Sequence, residues 1–132
     1  MARVVKQISV FLEHRPGSLA DFCSILQEAG IDMRALSLAK ATDFGVARVV
    51  VDKLEEAEEA LKKAGRIFSL TQVIEVVLHD KPGTLYSLLA LIKDAGINIK
   101  YCYSVSVNED GKARMLVRVD DSDIERTLAL LD

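Results

Sequence analysis

The stretch "EHRPGSLADF", Glu13 to Phe22, returns as "HDKPGTLYSL", His79 to Leu88. In both copies a Pro-Gly pair and a hydroxyl residue stand between an alternating apolar run and a helix-like one. Sliding the chain on itself by 66 residues aligns 8–51 with 74–117 without a gap. Thirteen of those 44 positions are identical: Ile8, Val10, Leu12, Pro16, Gly17, Leu19, Ala29, Gly30, Ile31, Gly45, Ala47, Arg48 and Val51. That exceeds chance, so the chain is two copies of one unit, 1–71 and 72–132. Two copies make a tandem pair, not a solenoid.

Each copy reads the same way. "VKQISVFLE" and "TQVIEVVLH" alternate and are rich in β-branched residues, which predicts strands. Over 18–29 and 84–95, Leu19, Phe22, Cys23, Leu26 and Leu85, Leu88, Leu89, Ile92 recur at i, i+3, i+4, i+7. That spacing makes one apolar helix face, closed at Gly30 and Gly96. Second strands follow, "DMRALSLAKA" and "NIKYCYSVSV". The turns "TDFG" and "NEDG" offer a glycine for positive φ before a third strand returns. "KLEEAEEALKKA" sets Leu54, Ala57, Leu61 and Ala64 on one side, with its charged run on the solvated face. "RIFSL" supplies a fourth strand for the first copy. The second copy ends in a helix marked by Ile124, Leu128 and Leu131, with no fourth strand of its own. The fold class is therefore α+β: two ferredoxin-like βαββαβ repeats, antiparallel sheets with helices on one face, the second lacking its last strand. Its open edge calls for cover, from a partner copy or from Met1–Val5.

With Ile8, Val10, Leu12, Ala47, Val49 and Val51 turned to the helices, Phe11, Leu36, Leu38, Val46 and Val50 fall on the outer face of the first sheet. The second repeat offers Glu75, His79, Lys100, Ser104, Ser106, Arg114 and Arg118 at comparable places. An apolar outer face predicts a homo-oligomer, with that face covered. Half of the residues are hydrophobic and the net charge is −3, which speaks for a packed core and against a nucleic-acid binder. The apolar run "LYSLLALI" is too short to span a bilayer. The start "MARVVKQ" lacks a secretory pattern. Cys23 and Cys102 have no CxxC spacing and read as reduced, buried thiols of a cytoplasmic protein.

Proline and glycine bend the chain sharply and let a ligand approach the backbone. The amides of Ser18, Leu19, Ala20 and Thr84, Leu85, Tyr86 then open a helix and have no intrahelical acceptor. Such a helix start suits an anion, and a free carboxylate in particular. A cap by Ser18 or Thr84, with "SLAD" as a capping box closed by Asp21, would instead satisfy those amides from within. The turn alone leaves both readings open.

The order Pro-Gly-x-Leu after a strand, then "AGI(D/N)" before the next strand, occurs in both copies. It resembles the ACT domain, and the likeness covers nearly the whole chain. The stretches "RALSLAKATDFGVARVVVD" and "GINIKYCYSVSV" look like the second and third strands of stand-alone tandem ACT, amino-acid-binding proteins. The resemblance implies non-enzymatic regulation by a free amino acid, acting in trans on a metabolic enzyme, with no cofactor. It also implies a ligand held between the strand-helix turn of one unit and the second strand of the other. Carried over, one pocket uses His14, Arg15, Pro16, Gly17, Ser18 and Leu19 with Ile97, Asn98 and Ile99. The other uses Asp80, Lys81, Pro82, Gly83, Thr84 and Leu85 with Ile31, Asp32 and Met33. Asn98 matches the family's asparagine, whose amide can donate to a carboxylate and accept from an ammonium. Asp32 departs from it and would repel a carboxylate. His14 departs from the family's aspartate, which Asp80 keeps. The His14–Asn98 pocket is therefore the favoured one.

Other chemistries are weaker in the sequence. His14 and His79 have no zinc-type companions. No P-loop, nucleophile elbow or HExxH appears, so an enzyme lacks a visible constellation. An RNA-recognition module of the same plan would show aromatics on its central strands, and only Phe11 is there. Tyr101 and Tyr103 read as core or interface residues.

Overall fold

The computed structural model describes residues 2–40, 43–105 and 110–131. In chain order the elements are β1 (Ala2–Glu13), α1 (Ser18–Glu28), β2 (Met33–Lys40), β3 (Phe44–Val51), α2 (Leu54–Lys63), β4 (Phe68–His79), α3 (Thr84–Asp94), β5 (Tyr101–Ser104), β6 (Lys112–Arg118) and α4 (Ile124–Leu131), the last entered through a 3-10 turn at Asp121–Asp123. Contacts divide the chain into two compact units: Lys6–Thr71, and Gln72–Asp132 together with Met1–Val5.

In the first unit the strand order is β2-β3-β1-β4. Alternation turns Ile8, Val10, Leu12, Ala47 and Val49 to the helix layer, where they pack with Phe22, Leu26, Ile31, Ala57 and Leu61. Phe68, at the start of β4, joins this core. In the second unit the order is β1-β4-β6-β5. Ile74, Val76, Val117 and Val119 pack there with Leu88, Ile92, Ile97 and Ile124.

The fourth strand of the first repeat and the first strand of the second are one continuous strand, β4, rather than two. The same economy covers the edge expected to be open. Ala2 packs against the second core, and Arg3 lies 3.4 Å from Glu75. The first residues of β1 are thus the strand that the second repeat lacks.

One part of the face assignment needs correction. Leu36 pairs with Val49 and Leu38 with Ala47; direct cross-strand partners share a face, so both leucines lie on the helix side. The cause is a register shift between Met33 and Ala35, since a one-residue slip turns every later side chain over. In the second unit Ser104 pairs with Met115 and Cys102 with Val117, so Ser104 also lies on the helix side. Tyr101 and Tyr103 hold the outer face. Of the remaining outer residues, Val50 is buried while Phe11 is exposed.

Two smaller readings also change. Cys102 is exposed, because β5 is the outermost strand. Leu85 is exposed as well, unlike its counterpart Leu19, which packs on the first core. The "NEDG" turn has left-handed Asp110 and Gly111. Gly45 lies inside β3 and is not left-handed; it supplies space, because a Cβ there would sit 3.4 Å from Leu38 Cδ1. Thr42, Ser106, Asn108 and Glu109, named in the turn and face readings, lie outside the described residues.

Candidate functional site

Each lip is built by a strand that ends in a tight turn. β1 ends at Glu13, and the Arg15 amide donates back to the Glu13 carbonyl at 2.9 Å. β4 ends at His79, and Lys81 repeats that bond at 2.9 Å. The chain then passes proline and enters a helix through a left-handed glycine, Gly17 with φ 85° and Gly83 with φ 90°. A residue with a Cβ is strained in that conformation, which explains the glycine in both copies.

The helix starts are not capped by side chains. The capping box that the sequence allowed is therefore not formed. Thr84 Oγ1 turns away from the helix and donates to the carbonyls of His79 at 2.7 Å and Lys81 at 3.0 Å. Asp21 is taken by Arg15, whose Nη2 reaches Asp21 Oδ2 at 3.0 Å while Nε reaches Glu13 Oε2 at 3.0 Å. Ser18 and Thr84 give their amides to the carbonyls of Arg15 and Lys81, each at a long 3.4 Å. Asp21 and Ser87 donate to the glycine carbonyls at 2.9 and 3.0 Å. Among the described residues, the amides of Leu19, Ala20, Leu85 and Tyr86 have no acceptor. Two N–H groups per lip are left to solvent or to a ligand.

The lips differ in their electrostatics. The hydrogen bonds that Arg15 donates to Asp21 and then to Glu13 push its guanidinium above its ordinary pKa. It bonds to both carboxylates and to the Pro16 carbonyl at 3.3 Å, so the first lip is crossed by an exposed ionic lattice. No ion pair is made by Lys81 among the described residues.

Each lip borders a cavity of its own unit. In the first, about 460 Å³ is lined by His14, Arg15, Gly17, Ser18 and Leu19, with Leu38 and Lys40 of β2 and Gly45 of β3 on the other side. In the second, about 520 Å³ is lined by His79, Pro82, Gly83 and Thr84, with Ser87, Leu88 and Leu91 of α3 and Leu130 and Leu131 of α4. The second wall is mostly aliphatic, whereas the first carries Glu13, Arg15 and Lys40. Thr84, Ser87, Leu88 and Leu91 stand at helical spacing, so that wall was readable from periodicity. Leu130 and Leu131 come from a distant element and were not. Leu38 was hidden by the register shift.

The remaining predicted residues lie where the first helix of each unit returns to the sheet. Ile31 and Ile97 are buried in the cores of their own units. Met33 and Ile99 pack partly on the same cores. Asp32 and Asn98 are exposed. Asp32 is held by its backbone: its N–H donates to Asp52 Oδ1 at 3.0 Å, and its carbonyl accepts from the Asp52 amide at 3.2 Å. Asp80 also acts through its backbone, donating to the Gly111 carbonyl at 2.9 Å. Burial pushes the Cys23 thiol above its ordinary value, as suits a side chain on the core beside Met33.

Among the described residues, no group of three His, Cys, Asp or Glu is arranged to hold a metal ion. No helix formed by them is long and apolar enough to cross a membrane.

Comparison with solved structures places this geometry. Protein BT0572 from Bacteroides thetaiotaomicron superposes with a TM-score of 0.88 at 29% identity, over 98% of this chain and 88% of that one. The ligand-free regulatory subunit of aspartate kinase from Thermus thermophilus has the same fold, with a TM-score of 0.65 at 20% identity over 97% and 94% of the two chains. The corresponding subunit from Thermus flavus gives 0.63 at 20% identity over 98% and 94%. A sequence search of curated proteins finds no match. The family profile described as an ACT domain pair matches residues 3–132, and the chain belongs to the ACT domain pair family.

Proposed function

We propose that this protein is a non-catalytic sensor of a free amino acid that regulates a metabolic enzyme in trans from the cytoplasm. The observation that carries the reading is the pair of uncapped helix starts. Leu19, Ala20, Leu85 and Tyr86 present four amides without acceptors, directly behind left-handed glycines that clear the approach. A carboxylate on such amides gains about 0.3–1 kcal/mol when exposed and up to about 2 when partly buried. The fold shared with regulatory subunits of aspartate kinase supports the regulatory half of the reading.

The ligand-contact set is His14, Arg15, Pro16, Gly17, Ser18 and Leu19 with Ile97, Asn98 and Ile99, and Asp80, Lys81, Pro82, Gly83, Thr84 and Leu85 with Ile31, Asp32 and Met33. Asn98, exposed and able to both donate and accept, serves the ligand's α-groups in the favoured set. A panel of the twenty amino acids, read by thermal shift and calorimetry, tests this. At least one amino acid should raise the melting temperature and bind saturably, and Asn98→Ala should weaken that binding. A panel with no response would overturn the reading.

The protein acts as a homo-oligomer in this proposal. Phe11 is 65% exposed and meets Phe44 edge-on at 5.1 Å, a rigid aromatic pair of the kind that anchors interfaces.

A further inference from the structure

On the face of the second sheet away from its helices, β4 and β6 bring an unusual set of side chains together. His79 stands directly opposite Lys112, and Val77 opposite Arg114. With Leu78 they line a cleft of about 320 Å³, near the lower end of the range for small-molecule sites. Among the described residues, every polar side chain lining it is basic. Lys112 and Arg114 are two residues apart on one strand, so the pleat points both the same way.

Arg3, Lys100, Arg118 and Arg126 of this unit are ion-paired. Arg118, on the same face of β6, reaches Asp121 Oδ1 at 2.8 Å and the Gln72 carbonyl at 2.9 Å. Glu75, the carboxylate next along β4 on that face, is 3.4 Å from Arg3. Lys100 is paired with Asp120 at 2.8 Å and Arg126 with Asp123 at 2.8 Å. Among the described residues, neither Lys112 nor Arg114 has an ion-pair partner. Like charges gathered on one face of adjacent strands destabilise a sheet, and a bound anion would relieve that cost.

We propose that this cleft binds a small phosphate monoester. The Arg114 guanidinium offers a planar fork for two phosphate oxygens, Lys112 a compact charge, and His79 a ring N–H for a third oxygen. Two fixed positive charges match a dianion better than a carboxylate monoanion. The chain's net charge of −3 disfavours long polyanions, so the ligand is a small molecule and not a nucleic acid. The site uses no first-turn amide of either lip; it shares Val77, Leu78 and His79 with the second cavity, while Lys112 and Arg114 belong to it alone.

The full chain, isotopically labelled and at low ionic strength, is titrated with glycerol 3-phosphate, with inorganic phosphate, and with acetate as a monoanion control. The amides of His79 and of 112–114 should shift saturably with both phosphates, and acetate should bind about tenfold or more weakly. Replacing Lys112 and Arg114 together by Gln should weaken phosphate binding about tenfold or more while leaving the unliganded melting temperature within a few degrees. Should that double variant fail to fold, Lys112→Gln alone, at an exposed position, should still weaken binding several-fold. Absence of saturable shifts up to about 20 mM, equal binding of acetate, or unchanged affinity in the variants would overturn the proposal.

Discussion

Gly17 and Gly83 carry the lips at the level of single residues. Their φ values of 85° and 90° would cost an L-residue roughly 1–2 kcal/mol. Gly17→Ala or Gly83→Ala should therefore lower the melting temperature by several degrees, as read by calorimetry; an unchanged midpoint would show that the turn is not held as described. Lys100 and Asp120 give a second residue-scale prediction. The hydrogen bond and charge of Lys100 hold the Asp120 carboxyl below its ordinary value. The pair therefore favours the fold fully above the unfolded carboxylate range, and its contribution fades as pH falls through the depressed value. An NMR titration should place Asp120 below a free aspartate, and Lys100→Met should move it back up. Coincident titrations in the two proteins would contradict the pairing. At this scale the sequence was most informative about glycine and least about capping. "SLAD" has the letters of a capping box, yet Arg15 withdraws Asp21 from it, and a three-dimensional ion pair leaves no trace in local spacing.

At the scale of elements, the repeat made the strands and helices legible because internal periodicity and self-alignment agree. What it concealed was where elements join. β4 runs unbroken from Phe68 to His79 across the expected boundary at 71 and 72, since no residue there forbids extended backbone. The register shift between Met33 and Ala35 was equally silent, because Leu36 and Leu38 alternate acceptably on either face. β1 yields a clear test. Deleting residues 1–5 should uncover the edge of β4 in the second unit and remove the contact of Ala2 with that core. Amides over 72–76 should then lose hydrogen-exchange protection, while those of β3 keep theirs. Equal protection in both proteins would mean that β1 does not complete the second unit.

At the scale of the whole molecule, the two lips repeat in backbone but not in chemistry. An ionic lattice of Glu13, Arg15 and Asp21 crosses the first lip, whereas aliphatic residues line most of the cavity beside the second. Free amino acids of different polarity should therefore distinguish the two lips. Self-association belongs to this scale as well: Phe11→Asp should convert an oligomer to a monomer in sedimentation, and an unchanged sedimentation coefficient would place the interface elsewhere. The central claim, that backbone amides past the two Pro-Gly turns hold a free carboxylate, is tested most directly by amide chemical shifts during amino-acid titrations. The account predicts saturable shifts at Leu19 and Ala20, or at Leu85 and Tyr86, with a gain of about 2.7 kcal/mol in stability at a hundredfold excess over Kd. Amides that stay fixed while every amino acid leaves the melting temperature unmoved would contradict it.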